Sequence, residues 1–397
     1  MAGKLPMGNK ELLRAKVMEM VRQGQLTLRQ AAGRLKRSQR QVKRIWARYQ
    51  AQGDAGLLHG NQGRPSNRRL DEAIQESALE AYRKYYPGFG PTLAAEKLAE
   101  RQGIRVDHET LRRWLMASGQ WQRQRRRSQY RSRRTRRERF GELVQFDGSP
   151  HEWFEDRGPA CCLMNMVDDA RGISLAFLCE QETTAAAMRL LWAWIERYGI
   201  PQALYCDRKN AFVLDTEPSI EDQLAGVQPE SPFQRACRRL GIELILAHSP
   251  QAKGRVERNH GVYQDRFVKE LRLEGISCIE QANRLLANTY LPAINARFAK
   301  AATEPEDAHV PLVDGTDLRD VFCFEEQRVV SRDYVLQFER RLYQVPRRLR
   351  QRPRPADRVV VRKWLDGSVH FYWKDKPLLV EELILPQPKE VPAGLSA

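Results

Sequence analysis

The chain has 397 residues, 42% of them hydrophobic, and a formal net charge of +17. This length exceeds what one hydrophobic core usually organises, so several domains are expected. The basic charge favours nucleic acid as the partner, and the lack of a long apolar run or of a signal sequence argues against a membrane and for a cytoplasmic protein.

Cysteine and histidine offer little support for a metal site. The seven cysteines form no CxxC pair and lie mostly inside apolar runs, and the seven histidines are scattered. Structural zinc is therefore not expected, and buried reduced thiols are.

The first domain, residues 1–58, has the pattern of a helix-turn-helix. Thr27 with Gln30 and Ser38 with Gln41 fit capping boxes, and an apolar stripe at helical spacing follows each. In this motif the second helix enters the major groove. Its first turns carry the predicted DNA contacts Gln39, Arg40, Lys43 and Arg44. The alternative is a plain three-helix bundle with a solvated basic face.

A basic linker and a second helical domain follow. Residues 59–70 are rich in Gly, Asn, Pro and Arg, and Arg64 is placed as in arms that lie in a minor groove, although a flexible tether explains the composition equally well. Residues 71–120 again predict a helix-turn-helix, whose last helix is capped by Asp107 and carries Arg112 and Arg113 towards DNA.

An arginine-rich linker occupies residues 121–140. Ten arginines lie between Gln122 and Arg139, among them Arg126 and Arg133. Such a block cannot form a core and is expected to order against phosphates. A nuclear-localisation or RNA-binding arm is the alternative; the position between DNA-binding units favours a connector that follows DNA.

Residues 141–302 change to an α/β pattern. Apolar strand-like runs at 143–146, 161–167 and 173–178 predict an antiparallel meander. Runs at 203–206 and 242–247, separated by helical patterns, predict parallel additions to the same sheet. A long helix is expected from residue 254.

Three acids stand where this pattern would bring them together. Asp147 ends an apolar run before a predicted Gly-Ser-Pro turn, Asp207 ends another, and Glu257 lies near the start of the long helix. Each alone has a bland explanation as a turn former or a helix-dipole partner. Asp168, which ends the second strand, is the main rival. Further competing acids are Asp169, Glu155, Asp156, Asp215, Glu217, Glu221 and Asp222.

The C-terminal part follows a connector at residues 303–327. Residues 328–385 are strand-rich, and Asp366-Gly367 is a hairpin signal. We expect a small β-barrel that binds DNA through its arginines; a protein-interaction barrel is the alternative.

The chain resembles the DDE transposases of bacterial insertion sequences, of ISNCY type, within the retroviral-integrase superfamily. The resemblance rests on the order of a helix-turn-helix, a basic linker and the segments FDGS, YCDR and HSPQAKGRVERNH, supported by GRPSNR and LRRWL. It runs from about Thr27 to Leu379. It implies a multidomain α/β protein with tandem helix-turn-helix domains and an RNase H-like mixed-sheet core.

The resemblance also implies the chemistry. Asp147, Asp207 and Glu257, spaced by 60 and 50 residues, would match the family's catalytic metal ligands. They would hold two Mg²⁺ ions, for which Mn²⁺ can substitute, with Asp147 shared between the ions. Lys253 and Arg255 would position the DNA end.

The sequence therefore predicts a bacterial, nucleoid-associated transposase. It would bind the terminal inverted repeats of its element as a homo-oligomer and join the ends to target DNA by transesterification. One alternative is a DNA-binding regulator or domesticated remnant without catalysis. A recombinase with a Ser or Tyr nucleophile would leave the three acids without a role.

Overall fold

The computed structural model describes residues 7–58, 69–123, 135–207, 229–246 and 254–383. Two helical units come first. The first unit contains α1 (Asn9–Arg22), α2 (Leu28–Leu35) and α3 (Gln39–Gln52). Both predicted capping boxes are present, since Thr27 and Ser38 accept from the backbone three residues on while Gln30 and Gln41 bond back to them. The predicted helix-turn-helix is confirmed.

The second unit also consists of three helices packed around a core of its own. It contains α4 (Glu72–Tyr85), α5 (Pro91–Arg101) and α6 (His108–Ala117). Asp107 caps α6 by accepting from the backbone N–H groups of Glu109 and Thr110. Leu93, Leu98 and Leu111 are buried in this core.

A five-stranded mixed sheet forms the central domain. Its strands are β1 (Val144–His151), β2 (Cys161–Asp168), β3 (Ser174–Cys179), β4 (Ala203–Cys206) and β5 (Glu243–Leu246), in the order β3-β2-β1-β4-β5. The first three strands pair antiparallel, and β4 and β5 continue in parallel with β1. The predicted meander with parallel additions is confirmed.

Helices cover both faces of this sheet. One face packs on α7 (Thr184–Tyr198) and α8 (Pro232–Arg239). The other packs on α9 (Gly254–Leu273), α10 (Ile279–Leu285) and α11 (Leu291–Phe298), the last two joined by a π-helical turn at Leu286–Tyr290. Strand alternation sends Val144 and Phe146 to the first core, so Asp147 faces the α9 side.

The predicted turn after Asp147 is wrong. The strand β1 continues through Gly148, Ser149 and Pro150 and pairs with β2 as far as His151, so Asp147 lies inside a strand. Pro150 is tolerated because β4 pairs only with Val144 and Gln145, which leaves that edge of β1 open further along.

The predicted small β-barrel is also wrong. After α12 (Leu318–Val321) the described chain forms two sheets on a common core. One has four strands, β6 (Cys323–Val329), β9 (Arg358–Trp364), β10 (Val369–Trp373) and β11 (Lys376–Pro377); the other has three, β7 (Val335–Phe338), β8 (Arg341–Gln344) and β12 (Glu381–Leu383). No ladder joins the two sheets within the described residues, so they do not close. The predicted hairpin turn at Asp366-Gly367 is confirmed between β9 and β10.

The cysteines are thiols, as predicted. All seven lie in described segments and none forms a disulfide; five are buried and two are partly exposed. In the described parts of the chain, no helix is long and apolar enough to cross a membrane.

Candidate active site

Asp147 lies at the middle of a strand that α9 crosses. The flanking residues on the same face both bond to this helix: the Val256 backbone N–H donates to Oε1 of Gln145 (3.2 Å), and the Gln264 amide donates to Oγ of Ser149 (3.1 Å). Asp147 lies between these two contacts and is partly exposed. Its carboxylate therefore belongs to the groove between β1 and α9.

The register between β1 and β4 places Asp207 beside Asp147. The parallel pairing of β1 with β4 aligns Val144 with Leu204 and Gln145 with Tyr205. The same offset aligns Asp147 with Asp207, the first residue after β4. Because Leu204 and Cys206 are buried on the opposite face, alternation directs Asp207 to the α9 side.

Glu257 is exposed in the first turn of α9, and two anchors hold that turn against the sheet. Val256 bonds to Gln145, as above, and Oδ1 of Asn259 accepts from the amide of Asn165 at 2.7 Å. Asn165 is the cross-strand partner of Asp147. The three predicted acids therefore lie on the side of the sheet that α9 covers, two on neighbouring strand lines and one in the first turn of the helix.

These acids do not form an assembled metal cluster in the described residues. No group of three or more His, Cys, Asp or Glu side chains there is placed to hold an ion. The donors themselves suit Mg²⁺, which prefers hard carboxylate oxygens. Residues 208–228 and 247–253, which adjoin Asp207 and precede Glu257, lie outside the described residues.

Asp168, the main rival, has a structural role. It is fully buried and lies opposite Val144, three positions from the partner of Asp147. Its carboxylate accepts from the backbone N–H groups of Gly141 (3.0 Å) and Arg171, which closes the turn between β2 and β3. Burial raises the pKa of Asp168 to about 6.

Asp169 and Arg255 form a buried pair that further fixes α9. Nε of Arg255 donates to Oδ1 of Asp169 at 2.6 Å, and the Gln145 amide donates to the same oxygen at 2.9 Å. The Arg255 side chain is only 12% exposed. Arg255, predicted to position DNA, thus holds the first turn of α9 on the sheet.

Buried polar groups that were not predicted from the sequence support the acids. Gln145 and Asn165 are fully buried. His260 is buried too, and it lies midway along α9 between the residues that contact Gln145 and Ser149, at the level of Asp147. The available signal was a polar residue at every second position of an otherwise apolar strand, as at Gln145, Asp147 and Ser149.

The predicted DNA contacts of the first unit are exposed on α3. Gln39, Arg40, Lys43 and Arg44 all lie on its solvent side, while Val42 and Ile45 face the core. This basic surface is available to a groove.

The second unit presents one exposed arginine on α6. Arg113 is exposed, whereas the guanidinium of Arg112 donates twice to Glu109, at 2.7 and 2.5 Å, and this pairing lowers the pKa of Glu109. The remaining predicted contacts lie outside the described residues: Arg64, Arg126, Arg133 and Lys253.

A cleft of about 490 Å³ lies on the opposite side of the sheet. It is formed by α7 and the β9–β10 hairpin and includes Trp192 and Trp364. Because α7 covers the face that Asp147 does not share, this cleft is separate from the three acids.

Comparisons with known proteins give both partial and nearly full-length matches. The model of a homeodomain-like domain matches residues 41–115, and that of a helix-turn-helix domain matches residues 13–66. Putative transposase y4bF of Sinorhizobium fredii is 38% identical over 95% of this chain and 81% of its own length. The transposase for insertion sequence IS1202 of Streptococcus pneumoniae is 28% identical over 93% of this chain and 85% of its own.

Solved structures also match the chain. One is the simian T-cell lymphotropic virus intasome in complex with the PP2A regulatory subunit B56 gamma, determined by cryo-electron microscopy. Its matching chain is 16% identical to this chain, and the match covers 78% of this chain and 99% of the matching chain, with a TM-score of 0.34.

Proposed function

Since the chain belongs to the transposases, as its 38% identical relative shows, we propose that it is a DDE-type polynucleotidyl transferase. It binds the terminal inverted repeats of its own element, cuts DNA at the element ends and joins those ends to target DNA. The observation that carries the proposal is that the register of β1 with β4 and the first turn of α9 put Asp147, Asp207 and Glu257 on the same side of the sheet.

The three carboxylates would hold Mg²⁺, or Mn²⁺ in its place. The bound ions would stabilise the charge that develops at the attacking and leaving oxygens of an in-line phosphoryl displacement. Asp147 would take the shared position between the ions, with Asp207 on the neighbouring strand line and Glu257 on the helix as the other ligands.

The remaining groups of the site position these acids. Gln145 connects the first turn of α9 to Asp169, and Asn165 connects it to the strand residue beside Asp147. These buried bonds hold the start of α9, and with it Glu257, at a fixed place on the sheet. Preorganised ligands lose less free energy on ordering around a substrate.

The experiment is cleavage of labelled duplex DNA that carries the element ends, with Mg²⁺. Asp147→Asn should reduce cleavage and strand transfer by about a thousandfold or more, because an amide is a weaker ligand and the ions supply several kcal/mol of stabilisation. DNA binding should persist. Asp156→Asn, which changes an exposed acid after the same strand, is the matched control and should retain activity.

Full activity of Asp147→Asn would refute the assignment. Site-specific binding by the unmodified protein without any metal-dependent product would favour the alternative of a DNA-binding regulator. A stable covalent adduct with DNA would indicate a Ser or Tyr nucleophile.

We also propose that the active form is a homo-oligomer on DNA, because two element ends must be processed together. Light scattering of the purified complex with end DNA measures its mass, and an active complex containing a single chain would contradict this.

A further inference from the structure

The second helix-turn-helix unit is docked on the C-terminal half of α9. Two ion pairs form the centre of this contact: Lys97 with Glu270 at 2.6 Å and Arg266 with Glu96 at 2.7 Å. All four side chains are at most 18% exposed. Ion pairs shielded from water to this extent are costly to break, because one partner is left as an uncompensated charge.

Apolar and backbone contacts complete the interface. Leu273 of α9 packs against the core of the second unit, and Lys269 lies over the ring of Phe89 at 5.5 Å. The Arg272 guanidinium donates to the backbone carbonyl of Pro87 at 2.7 Å. The docked surface therefore combines packing with fixed polar partners.

The interface leaves the predicted DNA-reading helix of the unit available. The ion pairs and hydrogen bonds described to α9 come from α5 and from the loop before it, whereas α6 carries the exposed Arg113. The first unit differs, since the hydrogen bonds and ion pairs described for residues 7–58 stay within that unit.

One helix therefore carries both the docking site and a candidate catalytic acid. Glu257 and Glu270 are thirteen residues apart on α9. At 1.5 Å per residue this is about 20 Å along the helix axis. A rigid helix keeps that distance constant.

We propose that the α5–α9 interface is a spacing device: it fixes the distance between the bases read by the second unit and the phosphodiester bond presented to the acids of the same chain. The proposal rests on the proposed function, because it specifies where that reaction occurs on the element end. Breaking the interface would uncouple recognition from placement of the core.

The test is hydroxyl-radical footprinting of the full chain on end DNA, with and without about five base pairs, half a helical turn, inserted between the second unit's protected bases and the cleaved bond. The distance between the bases protected by the second unit and those protected by the catalytic core should stay unchanged. On the inserted substrate, the core should therefore protect bases displaced from the native cleavage site by the inserted length. Cleavage with Mg²⁺, measured in parallel, should follow the moved protection.

Variants of the central ion pair provide the matched comparison. Glu270→Lys places two lysines opposite each other and should abolish the fixed separation while the second unit's own footprint remains. Lys97→Glu combined with Glu270→Lys restores opposite charges and should restore it.

If the core of the unmodified chain still protects the native cleavage site on the inserted substrate, the proposal is overturned. Failure of the proposed function gives a different result, namely no metal-dependent product on uninserted DNA, and the footprints still decide the spacing.

Discussion

Asp147 and Asp168 are acids on neighbouring strands whose surroundings differ in burial and in hydrogen-bond partners. Asp168 is fully buried and its oxygens are used by two backbone N–H groups, so it has no access to substrate. Asp147 is partly exposed in the groove beside α9. The sequence identified both acids as candidates, but it could not separate them, because burial and the path of α9 depend on contacts with residues about a hundred positions away.

The raised pKa of Asp168 predicts a pH-dependent contribution to stability. Because the folded-state pKa, about 6, lies above the ordinary 3.8, protonation favours the folded chain, and this stability is lost as the pH rises from about 4 through about 6. Asp168→Asn cannot ionise. The stability advantage of the unmodified protein over this variant should therefore shrink across that range, by up to about 3 kcal/mol.

Melting temperatures of both proteins, measured from pH 4 to 7, check this prediction. Asp156→Asn, which removes an exposed carboxylate, is the control variant. An advantage that stays constant or grows with pH would show that the pKa of Asp168 is not raised in the folded chain.

At the scale of elements, local signals were sufficient where bonds are local. The capping boxes at Thr27 and Ser38 placed α2 and α3, and the apolar strand-like runs placed the strands of the core sheet. Local signals gave wrong predictions where the structure depends on pairing between residues far apart in sequence. Gly148, Ser149 and Pro150 have turn propensity, but their pairing with β2 keeps them in β1. The C-terminal strands were correctly expected, but whether two sheets close into a barrel depends on pairings that alternation does not specify.

The hydrogen bond between the amides of Asn165 and Asn259 is predicted to stabilise the packing of α9 on the sheet. Asn165 is fully buried, so removing its partner leaves a polar group without its 2.7 Å bond. Asn259→Ala should cost about 1–3 kcal/mol of stability. Metal-dependent cleavage should fall as well, because the turn that carries Glu257 loses an anchor.

A double-mutant cycle with Asn165→Ala isolates this pair. The two substitutions together should cost less than the sum of the single ones, by about 1 kcal/mol, measured as unfolding free energy in urea. Strictly additive costs would mean that the two amides do not interact. Asn283→Ala, which removes an amide bonded to the Leu178 backbone on the same face, is a control that should leave cleavage less affected.

At the scale of the molecule, the order of domains was predictable and their contacts were not. Composition alone separated basic helical units from an apolar core. The docking of α5 on α9 depends on ion pairs such as Arg266–Glu96, 170 residues apart in sequence, and no local pattern connects these residues. The excess of positive charge, by contrast, is a property of the whole chain and makes its DNA affinity salt-dependent.

The salt dependence of DNA binding distinguishes the contribution of phosphate contacts on α3 from the contribution of the chain's overall positive charge. Replacing Arg40, Lys43 and Arg44 by Ala removes three exposed cations, and each phosphate contact contributes about 0.9 to the slope of log Kobs against log salt. The slope should therefore fall by up to about 3, as measured by fluorescence anisotropy. The matched control replaces Lys10, Arg14 and Lys16 of α1, which removes the same charge from the same unit. If both triple variants lower the slope equally, binding depends on net charge and α3 is not the DNA-contacting helix.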